Sequence, residues 1–361
     1  MNTAYQSMRT LETLPATVDV LIAGAGPAGL SAAIALVRAE RSVVIVDSRA
    51  KIGHPLRCGE VTSNRIFRVL AVKPNPAWIR CTMGRNANLI ALDREIMEFD
   101  LANLLAEHGA FVAAGVSVTG VGPFDSTGRQ VSLSSGRTTK QIYASCVLAA
   151  DGVSSSVARF AGIDTHLPIN KIASGFAYRL MDVTLRNHRN YHLEMLPQPY
   201  PTYPHYFWVI PNGESQANVG LYLPGKDGNK AKKLLKTMMK TSSAISGGRI
   251  VQTIAGAISD VMPPQAPFAD GLMILGSAAR MVDPRTGGGI WYAAISGRAA
   301  ARTLVGLKGA PATAERLWNY RWLLENKVYK KLQRQWLQRR ITTRRLNNGL
   351  PAREARFENK V

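Results

Sequence analysis

Three glycines near the amino terminus have the spacing of a phosphate-binding turn. Gly24, Gly26 and Gly29 follow an apolar stretch and precede an alanine-rich one. In such a strand–turn–helix the first glycine permits the sharp turn, the second lets a pyrophosphate approach the backbone, and the third lets helix and strand pack closely. Pro27 and Ala28 lie within the turn, and a helix predicted from Leu30 to Glu40 follows; the free N–H groups and positive dipole end at the start of a helix attract phosphate. The turn therefore predicts dinucleotide binding.

A second predicted strand, residues 42–46, ends at an acidic residue. Asp47 stands where a carboxylate can accept hydrogen bonds from ribose hydroxyls, and Ser48 and Arg49 follow it directly. A lone glycine pattern is a weak signal, but here the strand, turn, helix, second strand and acid occur in order. This βαβ order favours a parallel sheet and adds Asp47, Ser48 and Arg49 to the predicted cofactor site.

Two later stretches supply further glycines at positions that suit a bound nucleotide. Asp151 and Gly152 follow an apolar strand, and a run from Gly287 to Gly289 precedes a helix predicted to end near Ala301. Such a run lets a flat ring lie against bare backbone, and the dipole of the next helix can stabilise negative charge on it. The alternative interpretation of the run is a simple helix start.

Together, these three stretches resemble the fingerprints of the para-hydroxybenzoate-hydroxylase-like flavoproteins. The resemblance implies that the dinucleotide is FAD rather than NAD. The third fingerprint usually reads Gly-Asp, with the aspartate bonded to the ribityl chain of the flavin, whereas this chain has Gly276 and Ser277. A hydroxyl keeps one hydrogen bond but loses a charge-assisted contact. Arg280 is also bulkier than the small residue usually found beside the ring.

Within that group, two segments are similar to the geranylgeranyl reductases. Residues 51–60, KIGHPLRCGE, look like the segment that carries their active-site cysteine. Residues 206–211, YFWVIP, resemble their Y-x-W-x-F-P substrate motif, with Ile210 where phenylalanine is usual. The resemblance runs in order from about Val18 to Ala301. It implies a catalytic role for Cys58, and the substrate contacts that it implies are Tyr206, Trp208 and Pro211.

Cys58 has two interpretations. As a functional residue it faces, by the resemblance, the flavin and the substrate alkene, where it either donates a proton to the carbon that receives no hydride or shapes the pocket; Arg57 would lower the pKa of the thiol if its head lay near the sulfur. As a structural residue it is a small buried hydrophobe. Tyr206 and Trp208 alternate on a predicted strand and so share one face, which is either an aromatic wall for an extended apolar substrate or core packing.

The predicted cofactor site joins the fingerprints to residues around the cysteine. Its members are Gly24, Gly26, Pro27, Ala28, Gly29, Asp47, Ser48, Arg49, Arg57, Cys58, Gly59, Arg94, Asp151, Gly152, Gly276, Ser277, Pro284, Gly287, Gly288, Gly289 and Ile290. The three cysteines are widely spaced, and neither they nor the histidines have metal-ligand spacing, so no metal site is predicted.

The predicted elements combine into an α/β (α+β) fold. Short alternating segments between residues 173 and 258 fit a mixed or antiparallel sheet, whereas buried strands and helices flank them. We predict a Rossmann-like three-layer FAD-binding domain with an inserted sheet-rich substrate domain and C-terminal helices. Its parts are 1–170 and 263–306 for the FAD-binding domain, 171–262 for the substrate domain and 307–361 for the basic helical tail.

The chain has 361 residues and a formal net charge of +21, much of it between Lys327 and Arg356. Trp318, Trp322 and Trp336 are interleaved with this charge, so the tail is interpreted either as a solvated helix packed by its apolar stripe or as a helix on an anionic membrane surface.

No nucleic-acid partner is expected. No apolar stretch has the roughly 18–20 residues of a membrane span and no signal peptide is evident, so we expect a cytoplasmic protein, peripheral at most on the inner face of the cell membrane.

The functional hypothesis is reduction of carbon–carbon double bonds in a prenyl, geranylgeranyl-type chain by reduced FAD. No sequence feature marks a separate NAD(P)H domain. Electrons would therefore come from NAD(P)H that binds transiently or from a small redox protein. One alternative is a flavin monooxygenase or halogenase of specialised metabolism, since residues 206–211 are also close to the W-x-W-x-I-P of flavin halogenases. The other is a flavin-binding protein without turnover, which Ser277 and Arg280 motivate.

Overall fold

A computed structural model describes residues 8–196 and 205–348. The proline-rich residues 197–204 of the predicted substrate region and the last part of the predicted tail, 349–361, lie outside the described residues. The strands are β1 (Thr17–Ala23), β2 (Val43–Asp47), β3 (Val61–Ser63), β4 (Ile79–Met83), β5 (Leu89–Leu92), β6 (Phe111–Ala114), β7 (Ser117–Phe124), β8 (Arg129–Ser135), β9 (Thr138–Ala149), β10 (Ile172–Leu185), β11 (His192–Met195), β12 (Tyr206–Pro211), β13 (Gln216–Pro224), β14 (Ile245–Ser259), β15 (Phe268–Ala269) and β16 (Leu272–Ile274). The helices are α1 (Pro27–Val37), α2 (Ile66–Leu70), α3 (Arg94–Glu107), α4 (Ser156–Phe160), α5 (Ala231–Thr241), α6 (Ile290–Gly306), α7 (Ala314–Leu324) and α8 (Lys330–Asn347).

The largest sheet has eight strands and a parallel centre. Its order is β15-β16-β9-β1-β2-β6, with β7 joined through β8 to β9. Strand β1 pairs in parallel with β2 on one side and with β9 on the other, and β16 pairs in parallel with β9. Aliphatic side chains fill β2, and every one of its residues is buried, as expected for a parallel strand covered on both faces. The predicted βαβ unit is therefore confirmed, but its helix spans Pro27–Val37 rather than residues 30–40, because the proline stands at the first helical position.

One predicted strand is longer than expected. The sequence indicated a strand over 146–150, whereas β9 begins at Thr138. Its first half is mostly exposed and pairs antiparallel with β8, whereas its second half is mostly buried and pairs in parallel with β1. The apolar run marks only the half that is buried on both faces, because the other half has one solvated face.

Helices α1 and α6 pack tightly on each other behind the glycine turn. A Cβ built at Gly297 would lie 2.1 Å from the carbonyl oxygen of Ala28, so only glycine permits this approach. The Ser31 hydroxyl donates to the carbonyl oxygen of Ala294 across the same contact, at 2.7 Å. Sequence from both ends of the chain therefore builds the layer that holds the turn.

A second, antiparallel sheet has five strands in the order β11-β12-β13-β10-β14. Phe207 and Val209 of β12 face a core that α5 completes through Leu235 and Met238. A three-stranded sheet, β3-β5-β4, lies in the segment between β2 and α3. The predicted α/β fold with a sheet-rich insertion is confirmed, while the residue limits of the domains stay a prediction.

The C-terminal helices are fixed to the body by buried polar contacts. The Tyr320 hydroxyl of α7 donates to the carbonyl oxygen of Ile274 at 2.9 Å, and Arg339 of α8 donates to Asp260 Oδ2 at 2.8 Å. A five-residue π-helical segment, Glu325–Tyr329, joins α7 to α8. Among the described residues, no helix is long and apolar enough to cross a membrane.

Candidate active site

Four predicted cofactor segments meet at one edge of the large sheet. Gly24 follows β1, Ser48 follows β2, Asp151 lies just beyond the end of β9, and Gly276 follows β16 shortly after its last residue. These four strands run parallel, so their carboxyl ends share an edge. The edge above parallel strands is the usual place for a nucleotide in such a sheet.

The glycine turn has two crowded positions and one open position. Gly24 has a φ of +109°, and a Cβ there would lie 2.4 Å from the carbonyl oxygen of Ala150. A Cβ at Gly29 would lie 1.9 Å from the carbonyl oxygen of Gly24. At Gly26, by contrast, nothing lies within 4 Å of the Cβ position. Packing within the described protein does not require glycine there, and the open space fits a pyrophosphate held at the start of α1.

Asp47 at the end of β2 is held by the turn and by Arg49. Its Oδ2 accepts from the backbone N–H of Ala25 at 2.8 Å, and its Oδ1 accepts from the backbone N–H of Arg49 at 2.9 Å. The Arg49 guanidinium also donates to both oxygens, at 2.9 and 2.8 Å. Burial alone would raise the pKa of Asp47, but Arg49 holds it below its ordinary value. The residue is therefore a charged support of the turn, and its contact with ribose stays a prediction.

Asp151 has a buried acceptor without a partner in the described part of the chain. Its Oδ2 accepts from the backbone N–H of Val157 at 3.1 Å, whereas its Oδ1 is buried and unpaired. A buried unpaired carboxylate oxygen is costly unless a ligand supplies a donor. Together with the space beside Gly26, this oxygen shows that the residues fit a hydroxyl-bearing dinucleotide such as FAD.

Ser277 lies beside the glycine run that precedes α6. Its Oγ lies 3.7 Å from the position that a Cβ at Gly289 would take. The loop is fixed by the Thr286 hydroxyl, which accepts from the backbone N–H of Gly288 at 3.2 Å, and by Gly288 O, which accepts from the backbone N–H of Asp283 at 3.0 Å. The serine that departs from the fingerprint is thus next to the surface predicted for the ring.

A cavity of about 230 Å³ lies between this glycine run and the second sheet. Tyr206, Trp208 and Ile210 of β12 alternate onto it, and their rings and chains form one wall. Tyr206 stacks on Tyr222 at a centroid distance of 5.6 Å, and its hydroxyl donates to the carbonyl oxygen of Thr286 at 2.6 Å. The lining also includes Cys58, Gly59, Glu60, Tyr191, Leu193, Ile258, Gly287, Gly288, Gly289, Ile290, Trp291, Tyr292 and Lys331. The predicted aromatic wall therefore faces the predicted ring surface.

Cys58 lines this cavity and is half-buried. Its sulfur accepts from the backbone N–H of Glu60 at 3.2 Å and is also hydrogen-bonded to the Arg94 guanidinium. The Asn218 amide donates to the carbonyl oxygen of Cys58 at 3.4 Å and accepts from the indole N–H of Trp208 at 2.8 Å. The aromatic wall and the cysteine loop are therefore linked through one amide side chain.

Arg94, rather than Arg57, is the arginine that contacts the sulfur. Arg57 is exposed, whereas Arg94 lies at the start of α3 and donates through Nε to Glu98 Oε1 at 2.9 Å. Burial alone would lower the pKa of Arg94, but Glu98 and Cys58 raise it above its ordinary value. Glu98 is 1% exposed and also pairs with Arg49 at 3.3 Å. The chain of charges thus runs from the glycine turn to the cysteine, a link that sequence spacing does not show.

Glu60 is a functional candidate that sequence reasoning missed. It is fully buried, lines the cavity and has a φ of +67°, a conformation rare for a side chain of its size. Its carboxylate pairs with Arg179 at 2.7 Å and accepts from the backbone N–H of Arg94 at 3.1 Å. Burial raises the pKa of Glu60 above its ordinary value, although Arg179 opposes this. Its position next to Cys58 was visible in the sequence, but its burial and strain were not.

Not every predicted substrate residue reaches the cavity. Tyr206 and Trp208 line it, whereas Pro211 is buried at the end of β12 and is not among the lining residues. Of the predicted cofactor residues, the ones that line it directly are Cys58, Gly59, the run Gly287 to Gly289, and Ile290. Arg57 packs near Gly256 through its backbone and leaves its side chain exposed.

The chain is similar to known reductases in both sequence and fold. Residues 22–89 match the NAD(P)-binding Rossmann-like domain family. A digeranylgeranylglycerophospholipid reductase from Methanosphaerula palustris is 35% identical over 80% of this chain and 76% of its own. The crystal structure of a geranylgeranyl bacteriochlorophyll reductase-like protein from Thermoplasma acidophilum covers 90% of this chain and 87% of its own, with 26% identity and a TM-score of 0.83. A probable FAD-dependent monooxygenase from Pseudomonas aeruginosa covers 92% of this chain and 97% of its own, with 17% identity and a TM-score of 0.65, which shows the fold alone.

Fold and site together define a protein with the architecture of flavin-dependent enzymes. The chain belongs to the geranylgeranyl reductase family of oxidoreductases, whose digeranylgeranylglycerophospholipid reductases match most of its length. The predicted family is therefore confirmed, and the monooxygenase or halogenase alternative is not favoured.

Proposed function

We propose that this protein is an FAD-dependent reductase that saturates carbon–carbon double bonds in the geranylgeranyl-type chains of a glycerophospholipid. The observation that carries the proposal is the aromatic cavity, whose lining includes both the Cys58 thiol and the run from Gly287 to Gly289. A thiol can donate a proton, bare backbone suits a flat ring, and aromatic walls suit a long apolar chain. The Methanosphaerula palustris relative is named for its action on the same class of lipid.

We also propose which residues bind each part of the FAD. Gly26 and the start of α1 would bind the pyrophosphate, and the unpaired Oδ1 of Asp151 would accept a hydroxyl of the FAD. Ser277 and the glycine run would lie against the flavin ring, with the amino end of α6 beside it. Electrons would come from NAD(P)H or a small redox protein.

Different residues of the cavity donate the proton, stabilise charge and orient the substrate chain. Bound reduced FAD would supply the hydride. Cys58 holds the proton for the other alkene carbon, and the Glu60 N–H and the Arg94 guanidinium stabilise the negative charge that stays on the sulfur when the proton leaves. Tyr206 and Trp208 orient the chain and exclude water, which matters because an unactivated alkene gains little from polar groups.

The proposed function is tested by anaerobic incubation of the photoreduced protein with digeranylgeranylglycerophospholipid. We expect mass spectrometry to show lipids that have gained pairs of hydrogen atoms, with matching reoxidation of the flavin. An oxygenase or halogenase would give no product without oxygen, and a protein without turnover would stay reduced. Either result would overturn the proposal.

The contact between Arg94 and Cys58 gives a first prediction. In Arg94→Lys the charge that pairs with Glu98 is kept, but the planar fork that also reaches the sulfur is lost. We expect the single-turnover rate of lipid-driven flavin reoxidation to fall by roughly 10–100-fold, since one donor to the developing charge is removed. The melting temperature should change little. Arg137→Lys, at an exposed position between β8 and β9, is the matched control and should leave the rate unchanged; equal rates in the two variants would contradict the role.

An anionic membrane surface is the proposed source of the lipid. Trp322 of α7 is 73% exposed, and exposed arginine and lysine residues follow it in the π-helical segment and α8: Lys327, Lys330, Arg334, Arg340 and Arg344. Exposed tryptophan and basic residues are the pair of features that hold helices at anionic interfaces.

This surface gives a second prediction. Trp322→Ala should reduce cosedimentation with phosphatidylglycerol vesicles several-fold, because it removes the most exposed aromatic ring among the described residues. Binding of the unmodified protein should also weaken in 1 M salt, where the Debye length is about 3 Å. Phe160→Ala, at an exposed aromatic residue of α4, is the control. Equal binding of the two variants, or binding to neutral vesicles as strong as to anionic ones, would contradict the proposal.

A further inference from the structure

One cation lines the cavity, whose walls are mainly aromatic and apolar but also include the acids Glu60 and Asp283. Lys331 of α8 is the only lysine or arginine among the residues that line it in the described part of the chain. Its neighbours there include Trp291 and Tyr292, and its ammonium group lies 5.8 Å from the Tyr292 ring centroid. A prenyl chain alone gives no reason for a charge at this place.

The helix that carries Lys331 is fixed to the cavity loop along one face. Gln335 accepts from the Tyr292 hydroxyl at 3.1 Å, and Gln338 accepts from Arg285 at 3.0 Å. Arg339 donates to the carbonyl oxygen of Pro284 at 3.2 Å. Positions 331, 335, 338 and 339 share one helical face, so these contacts also fix the backbone that presents Lys331.

The Lys331 ammonium group is available to a ligand. Asp283 is the acid that interacts with it, but the Asp283 carboxylate already accepts from the backbone N–H of Arg285 at 2.9 Å and lies 3.5 Å from its guanidinium. Within the described residues, the Lys331 ammonium forms no hydrogen bond or ion pair. Burial lowers the pKa of Lys331, so an anion beside it would restore a stabilised charge.

We propose that Lys331 binds the phosphate of the substrate head group and so selects phosphate-bearing prenyl lipids. The proposal rests on the proposed function, because it assigns one end of the same cavity. A phosphate on a glycerol diether and the diphosphate of a free prenyl alcohol offer the same chemistry to an ammonium group. Lys331 would then fix the head group while the aromatic wall holds the chain.

Equilibrium binding tests this without turnover. The FAD-loaded protein is titrated in detergent with three probes: a saturated isoprenoid glycerol diether phosphate, the same diether without phosphate, and a saturated prenyl diphosphate. In Lys331→Gln we expect the Kd of the diether phosphate to rise roughly tenfold, as for loss of one charge-assisted contact. The Kd of the uncharged diether should not change. Lys236→Gln, at an exposed lysine of α5 outside the cavity and the membrane surface, is the matched control and should leave all three affinities unchanged.

The outcomes separate the sources and the two proposals. A rise for the diether phosphate alone supports a phospholipid head group, and a rise for both phosphorylated probes supports a general phosphate site. Equal changes for the charged and uncharged diethers, or no change for either, overturn the role of Lys331. Because the saturated probes need no reduction, these results stand even if the anaerobic incubation shows no reductase activity.

Discussion

Cys58→Ala is expected to abolish most of the lipid reduction while the FAD stays bound. Removal of a positioned proton donor costs roughly 10²–10⁴-fold in rate. The replacement is small, and the cysteine is only half-buried, so we expect the fold and the flavin content to be retained. The measurement is the single-turnover reoxidation of photoreduced protein by anaerobic lipid.

The pair Cys58→Ala and Cys58→Ser separates the two interpretations of this residue. If the side chain only fills space, alanine is the better replacement, because serine buries an extra polar hydroxyl. If it donates a proton, serine retains an O–H and should keep more activity than alanine. Cys81→Ser is the control: Cys81 is half-buried, does not line the cavity, and its replacement should leave the rate unchanged. Near-normal activity in Cys58→Ala would end the catalytic assignment.

Gly26→Ala is expected to remove the cofactor without unfolding the protein. Nothing lies within 4 Å of the Cβ position, so the chain itself tolerates a methyl group. A pyrophosphate at this place would meet that methyl, and we expect the Kd of FAD to rise at least tenfold, about 1.4 kcal/mol. Titration of the FAD-free protein with FAD, followed by flavin fluorescence, measures the change.

Gly29→Ala is the matched comparison on the same turn. Its Cβ would lie 1.9 Å from the carbonyl oxygen of Gly24, so the turn or the helix must move. We expect a loss of roughly 3 kcal/mol or more in the free energy of unfolding of the FAD-free protein. Denaturant unfolding of both variants gives the comparison. Equal stability of the two FAD-free variants would show that the turn differs from the described geometry, and normal FAD affinity in Gly26→Ala would place the pyrophosphate elsewhere.

The nucleotide edge was the part of the site most open to prediction from sequence. Gly24, Gly26 and Asp47 stand at local spacings that backbone geometry requires, because a tight turn and the end of the next strand are short-range features. Tyr206 and Trp208 could be placed on one face for the same reason, since strand residues alternate. The fold class and the family followed from such local patterns in their order along the chain.

The contacts around the cysteine could not be predicted in this way. Arg57 is adjacent in sequence, yet Arg94 reaches the sulfur, because the fold brings the start of α3 beside the cysteine loop. Glu60 is fully buried and pairs with Arg179, more than a hundred residues away along the chain, and nothing local in the sequence signals its left-handed backbone. Lys331 looked like one basic residue among many in the tail, and only the docking of α8 brings it to the cavity.

The sequence by itself therefore determined the dinucleotide turn, the fold class, the family and the residues of the aromatic wall. The tertiary structure decided which distant charged groups meet: Arg49 with Glu98, Glu60 with Arg179, and Arg94 with Cys58. The physical reason is the separation along the chain of the residues that interact. Glycine turns and strand alternation are set by neighbouring residues, whereas burial and ion pairing depend on segments that only folding brings together.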